Sequence, residues 1–331
     1  MKFSGYYSFI VTILMRKELG TFVLLVVLCV VLGIKSPVFL DAANLQNLAR
    51  LIGIYGIFSI GLGLVIITGG IDLSVGSVFA LLGVLLSIFL VEWHLPAAVA
   101  VLAVVGITTF LGLINGFLIT KVKIQPFIVT LCGLLFYRGL ARFIASDETK
   151  GFGAASGFET LQSLATGSLF GIPTPFIILI FISVIMWVVL HRSVYGRYLF
   201  AVGRNETAAR YSGINSNMII ASAYVMCGLL AGVAGVLLAF YTNSVSPSSH
   251  GNFYELYGIA AAVLGGCSLR GGEGSIVGIL IGTALLQVLQ NLVNLLGIPS
   301  SLNFAVMGAV ILLGVVADQL LRQRQASRLA K

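Results

Sequence analysis

Ten apolar runs, separated by short polar segments, dominate this 331-residue chain and leave it few ways to fold. They lie near residues 19–34, 45–68, 74–91, 96–120, 126–145, 174–191, 218–241, 254–268, 275–296 and 301–321. A helix needs about 20 apolar residues to cross a hydrocarbon core, and most of these runs approach that length. Hydrophobic residues make up 59% of the chain and charged residues only 9%, where soluble domains carry roughly a quarter charged residues. This composition excludes an ordinary soluble globule, a disordered chain, collagen and a disulfide mini-protein. The chain reads as an all-α integral membrane protein, a polytopic bundle of about ten transmembrane helices. The basic flank of the first run looks like the start of a signal peptide. The run is long, however, and no small-x-small cleavage site follows, so it reads as an uncleaved helix.

Ten crossings place both termini on one side. If that side is the cytoplasm, the inward segments hold Lys2, Arg16, Lys17, Lys121, Lys123, Arg192, Arg197, Arg204, Arg210, Arg270, Arg322, Arg324, Arg328 and Lys331, which is 14 of the 19 basic residues. Only Lys35, Arg50, Arg138, Arg142 and Lys150 fall elsewhere. The excess obeys the positive-inside rule and supports both the count and the direction. It also accounts for the net charge of +8 without a nucleic-acid partner. Segment 146–173 is then an extracytoplasmic cap or loop, and basic segment 192–217 is a cytoplasmic loop. No linker divides residues 1–331, which form a single transmembrane domain. Cys29, Cys132, Cys227 and Cys267 all lie in apolar runs without CxxC spacing, so they read as small buried hydrophobes and signal neither a metal nor a disulfide.

The segment Thr68-Gly69-Gly70-Ile71-Asp72-Leu73-Ser74-Val75-Gly76-Ser77 is the most unusual. Its paired glycines interrupt a helix. Asp72 is placed to cap the next one, with Ser74 as a second candidate. A carboxylate near membrane depth needs such satisfaction. The segment is either a discontinuous helix at a gate or a plain turn at the water interface. VLGGCSLRGGEGSIVGILIG (263–282) echoes VIITGGIDLSVGSVFALLG (65–83), through either duplication or shared composition. Farther along, Asn205 suits an N-cap, Glu206 the first turn of a short helix and Gly213 its C-cap. That helix is too short to span. It lies at the cytoplasmic surface, held either by lipid headgroups or by a soluble partner.

GGIDLSVGS at 69–77, YGRYLFAVGRNETAARYSGI at 195–214 and YELYGIAAAVLGGCSLRGGEGS at 254–275 resemble the ribose-type branch of bacterial ABC-importer permeases. The resemblance covers nearly the whole chain in the same order. It implies a multi-pass subunit of the bacterial cytoplasmic (inner) membrane, working as a permease dimer or with a paralogue, and a periplasmic sugar-binding protein that delivers the substrate. It also implies cytoplasmic ABC ATPase subunits, docked on a coupling helix within 203–214. The coupling residues are then Gly203, Asn205, Glu206, Ala208, Ala209, Arg210, Ser212 and Gly213. One departure stands out: family members commonly carry an acidic residue where this chain has Tyr257.

No GxxxxGK[ST] loop occurs in the chain, and Gly271-Gly272-Glu273-Gly274-Ser275 lacks the phosphate-binding lysine. HExxH and GxSxG motifs are missing too. The chain is therefore expected to be no enzyme and to hold no metal or cofactor, with ATP and Mg on the partner subunit. A sugar path needs hydrogen-bonding side chains. The candidates are Asn115, Gln125, Arg138, Asn243, Gln287, Asn291 and Asn294, beside the possible gate at Gly69, Gly70, Asp72, Ser74 and Gly76. Gln287, Asn291 and Asn294 share one helix face, which either lines the path or glues helices together. Arg138 either binds an anion or pairs within the protein. Gly228 with Gly232, and Gly278 with Gly282, permit close helix packing. Two other readings remain: an ion-coupled secondary transporter using Asp72, and a non-transporting membrane scaffold.

Overall fold

A computed structural model describes residues 17–153, 157–299 and positions 302, 305, 306, 308, 309, 312 and 316. Within lipid a backbone must satisfy its own hydrogen bonds, and the apolar runs do so as helices. In chain order these are α1 (Lys17–Lys35), α2 (Ala42–Ile67), α3 (Val75–Ser87), α4 (Ala97–Thr120), α5 (Pro126–Ile144), α6 (Glu159–Thr166), α7 (Thr174–His191), α8 (Val194–Arg204), α9 (Glu206–Tyr211), α10 (Ser216–Thr242), α11 (Tyr254–Leu264) and α12 (Ile276–Leu295). A π-helical turn, Ile88–Glu92, extends α3. Among the described residues, 8 helices are long and apolar enough to cross a membrane.

Two of the ten expected crossings need comment. The run at 254–268 forms only the 11-residue α11. At 1.5 Å per residue that is about 16 Å, roughly half a hydrocarbon core, so the run is no full crossing helix. Its glycines end it: Gly265 closes α11 and Gly266 takes a φ of +94°. The tenth run, 301–321, and both termini lie outside the described residues apart from isolated positions.

Helix α2 is the hub, packing against α7, α10, α11 and α12. The most extensive contact joins α4 and α10. Glycine makes that contact close. Gly112 lies against the Tyr224 carbonyl, and Gly228 against that of Thr108. In the same way Gly278 and Gly282 of α12 lie on the Gly265 and Ala261 carbonyls, so the expected small-residue packing is present. Helix α1 stands at the edge, largely uncovered.

Segment 146–173 is pinned down. Lys150–Gly151 (β1) pairs antiparallel with Ser244–Val245 (β4), and Ser168–Leu169 (β2) with Ile172–Pro173 (β3). Phe152 and Phe158 are buried against Phe240. Arg50 donates to the Thr166 carbonyl at 2.8 Å, and Lys150 pairs with Glu92. Arg142 beside Asp147 holds that carboxyl below the usual range. Cys227 and Cys267 are buried as expected, but Cys132 faces outward on α5. Cys29 is half-buried, and all four cysteines are free.

Candidate functional site: two broken crossings and a capped surface helix

Three segments far apart in sequence converge at one end of the bundle. Helix α2 stops at Ile67, and Gly69 follows with a φ of +82°. The Ile67 carbonyl accepts a hydrogen bond at 2.8 Å from Gly272 N–H, in the second glycine-rich break. Gly203, near the end of α8, lies directly on that carbonyl, and a Cβ there would also meet Gly272 N at 2.6 Å. Gly271 (φ +83°) abuts both the Gly203 carbonyl, 2.6 Å from where its own Cβ would sit, and Gly69. Only bare backbone fits this junction.

Helix α9 projects from the junction. Asn205 Oδ1 accepts the Ala208 N–H at 2.9 Å, which is the expected N-cap. Gly213 adopts a φ of +84°, and its N–H bonds the Arg210 carbonyl, ending the helix as expected. Glu206 pairs with Arg210 four residues on, and Ser216 Oγ donates to Glu206. Ala209 is buried, while Ala208, Arg210, Tyr211 and Ser212 are exposed. Tyr211 is 89% exposed. Lys123 Nζ bonds Asn217, so the 121–125 turn lies at this same end.

Beyond Gly70 the chain turns back into the bundle. Tyr224 donates to the Ile71 carbonyl at 3.2 Å and Thr130 to the same atom at 3.4 Å. Asp72 is buried and its Oδ1 accepts both the N–H and the hydroxyl of Ser74. Asn115 Nδ2 donates to Ser74 Oγ, and Tyr137 donates to Asn115 Oδ1. Asp72 thus shapes a local turn, and Ser74 makes no side-chain cap on α3. Glu255 of α11 instead lies against Gly76 in the first turn of α3, its Oε2 where a Gly76 Cβ would sit. Arg138 donates to three carbonyls: Pro247 at 3.1 Å, His250 at 2.7 Å and Gly76 at 3.2 Å. It pairs within the protein, one of the two alternatives read from sequence.

Asp72, Ser74 and Asn115 therefore form one network, and Gly76 with Arg138 a second beside it. Gln287, Asn291 and Asn294 stand apart on α12. Gln287 is buried and Asn294 exposed. Asn291 exchanges two hydrogen bonds with Asn44 of α2, at 2.7 and 3.3 Å. Tyr257, where the resemblance leads one to expect an acid, joins a ring cluster with Tyr55 and Tyr254. Sequence reasoning missed Glu255, Tyr137, Tyr224, Gly271 and Gly272. A signal existed for Glu255, since it is an acid inside an apolar run.

Fold and site together define a multi-pass α-helical membrane protein with interrupted crossings tied to a surface helix. Residues 44–315 match the family described as the branched-chain amino acid transport system permease component, and the chain belongs to it. The chain is 41% identical to the ribose import permease protein RbsC of Bacillus subtilis (strain 168), over 92% of this chain and 93% of that one. It is 39% identical to RbsC of Escherichia coli (strain K12), over 91% and 93%. Identity to the fructose import permease protein FrcC of Rhizobium meliloti is 32%, over 89% and 82%. No solved structure matches the chain. The resemblance read at 69–77, 195–214 and 254–275 is borne out: this is a transmembrane permease subunit of a sugar-type importer.

Proposed function

We propose that the chain carries a sugar, delivered by a periplasmic binding protein, across the bacterial cytoplasmic membrane, driven by separate cytoplasmic ABC ATPase subunits that bind ATP and Mg. Relatives named for ribose and fructose import support the sugar class. The positive-inside rule, applied to the basic ends at 121–123, 192–210 and 270, supports placing the junction on the cytoplasmic side. Residues 1–331 then form one domain of ten membrane segments with both termini cytoplasmic, and a second copy or a paralogue completes the pathway.

The observation that carries this reading is the junction itself. Helix α9 presents Ala208, Arg210, Tyr211 and Ser212 outward, although six residues make no stable helix alone. Its root is Gly203, seated on the Ile67 carbonyl between the two breaks. A push on α9 reaches both interrupted crossings through main-chain contact. Gly203, Asn205, Glu206, Ala208, Ala209, Arg210, Ser212 and Gly213 are the docking and transmission residues. Gly69, Gly70, Asp72, Ser74, Gly76, Asn115 and Arg138 form the gate. Gln287 and Asn294 serve the path from α12, and Asn291 ties α12 to α2.

The test is uptake of labelled ribose, fructose and allose into proteoliposomes holding the permease, its ATPase and its binding protein. Uptake that requires ATP hydrolysis supports the proposal. Uptake that persists without the ATPase and collapses with an ion gradient refutes it in favour of coupling through Asp72.

A further inference from the structure

Deep in the bundle, a pair of opposite charges holds a turn segment that no motif marked. Segment 246–253 links β4 to α11 through successive turns. Its last residue, Phe253, is a non-glycine held in the left-handed region (φ +66°). Such conformations persist only where the surroundings enforce them, and they cluster at switch regions. The segment runs along α3. Val245 lies against Gly83, and Gly251 (φ +71°) against the Gly76 carbonyl and Phe79.

Two side chains fasten it there. Arg138 reaches across from α5 and donates to Pro247 and His250 of the segment and to Gly76 of α3. Glu255, just past the segment and buried, lies against Gly76. Glu255 thus sits at the N-terminal end of α3, where the helix dipole favours a carboxylate, on the same turn that Arg138 bonds. Gly76 admits no Cβ, which would collide with both Glu255 Oε2 and the Gly251 carbonyl. Arg138 lies 12 residues from the Pro126 end of α5. That is about 18 Å, and about 9 Å remain to the Ile144 end, so the fastening sits at membrane depth. Charges there are costly and mark functional positions.

We propose that Arg138 and Glu255 are positioning residues of a clamp that holds segment 246–253 against the first turn of α3, and that this clamp opens and recloses in each transport cycle. The proposal rests on the reading of the chain as an ATP-driven permease. The clamp uses three main-chain acceptors on one guanidinium, which a single-point ammonium reproduces only in part. Released, the segment moves between β4, which stays paired with β1, and Phe253, while α11 stays anchored to α12 by the Gly265–Gly278 contact.

The experiment compares Arg138→Met, Arg138→Lys and Glu255→Gln with the unaltered permease, assembled with its ATPase and binding protein. Hydrogen exchange by mass spectrometry reads the clamp, and sugar taken up per ATP hydrolysed reads its role. Arg138→Met is expected to speed exchange at 246–253 and 75–79 at least tenfold, with the amides of α2 unchanged. Uptake per ATP is expected to fall at least tenfold, while assembly and hydrolysis persist. Arg138→Lys should recover part of both, and Glu255→Gln should fall between. Wild-type exchange in Arg138→Met overturns the clamp. Faster exchange with unchanged uptake per ATP, or uptake and hydrolysis falling in proportion, overturns its part in transport. If the unaltered assembly shows no ATP-driven uptake, the parent reading fails and takes this proposal's transport role with it, while exchange still reports whether the clamp exists.

Discussion

Replacing Gly203 by alanine tests the junction with a single methyl group. The new Cβ would sit 2.6 Å from Gly272 N and closer still to the Ile67 carbonyl. Ordinary contact distances are about 3.5 Å, so the new methyl must move about 1 Å from Gly272 and farther still from Ile67. Overpacking of this kind costs about 1–3 kcal/mol. Parting also breaks the 2.8 Å bond from Gly272 N–H to Ile67 O. An unsatisfied donor adds about 1–3 kcal/mol. Alanine returns about 1 kcal/mol of helix propensity in α8. The net strain of about 1–5 kcal/mol falls at the contact between α8 and the two breaks. The expected result is a permease that inserts, binds its ATPase and supports hydrolysis, with uptake reduced tenfold or more. Gly139→Ala is the control, because a Cβ there meets nothing within 4 Å, and it should leave uptake unchanged. Proteoliposome uptake measured beside copurification decides the matter. Wild-type uptake by Gly203→Ala would refute transmission through this contact.

Glu206→Ala with Arg210→Ala removes an exposed pair worth about 0.3–0.5 kcal/mol to α9. It should weaken copurification of the ATPase without affecting membrane insertion; undiminished copurification argues against docking on this helix. Asn205→Ala removes the cap, costing about 1 kcal/mol, and should act in the same direction. Gly70→Leu must displace the Tyr224 hydroxyl, 2.5 Å from the new Cβ, and break its bond to the Ile71 carbonyl. Uptake should fall tenfold or more, and full activity would remove the case for a functional break. Asn291→Leu loses the exchange with Asn44 and should cost about 0.6 kcal/mol, seen as a small drop in melting temperature. A change in sugar selectivity instead would put Asn291 on the path.

Hydrophobic length and charge bias made the membrane fold legible, because lipid leaves a chain so few choices. The cap at Asn205 and the stop at Gly213 were legible for a related reason: both depend on residues within one turn. What escaped sequence reasoning was long-range. Asp72 looked like the cap of α3, yet its carboxylate closes on Ser74, and Glu255, 179 positions from Gly76, is what lies against the first turn of α3. The run at 254–268 is apolar enough for a crossing, but hydropathy does not report that Gly265 and Gly266 end its helix after 11 residues. The α12 amides show the same limit, since their spacing puts three on one face while a partner on α2 engages only Asn291.

The echo between 65–83 and 263–282 takes on a mechanical sense in three dimensions. Each stretch ends a helix, passes through glycines and starts another, and the two breaks bond to each other through Gly272 and Ile67. They are not equivalent. Ser275 caps α12 directly by accepting the Gly278 N–H, whereas Ser74 serves Asp72 and the first turn of α3 lies against Glu255 of α11. One break is therefore capped by a residue beside it, and the other is held by side chains distant in sequence. A permease that moves one side of its barrier while keeping the other fixed needs that asymmetry, and it is the α3 side that Arg138 and Glu255 hold.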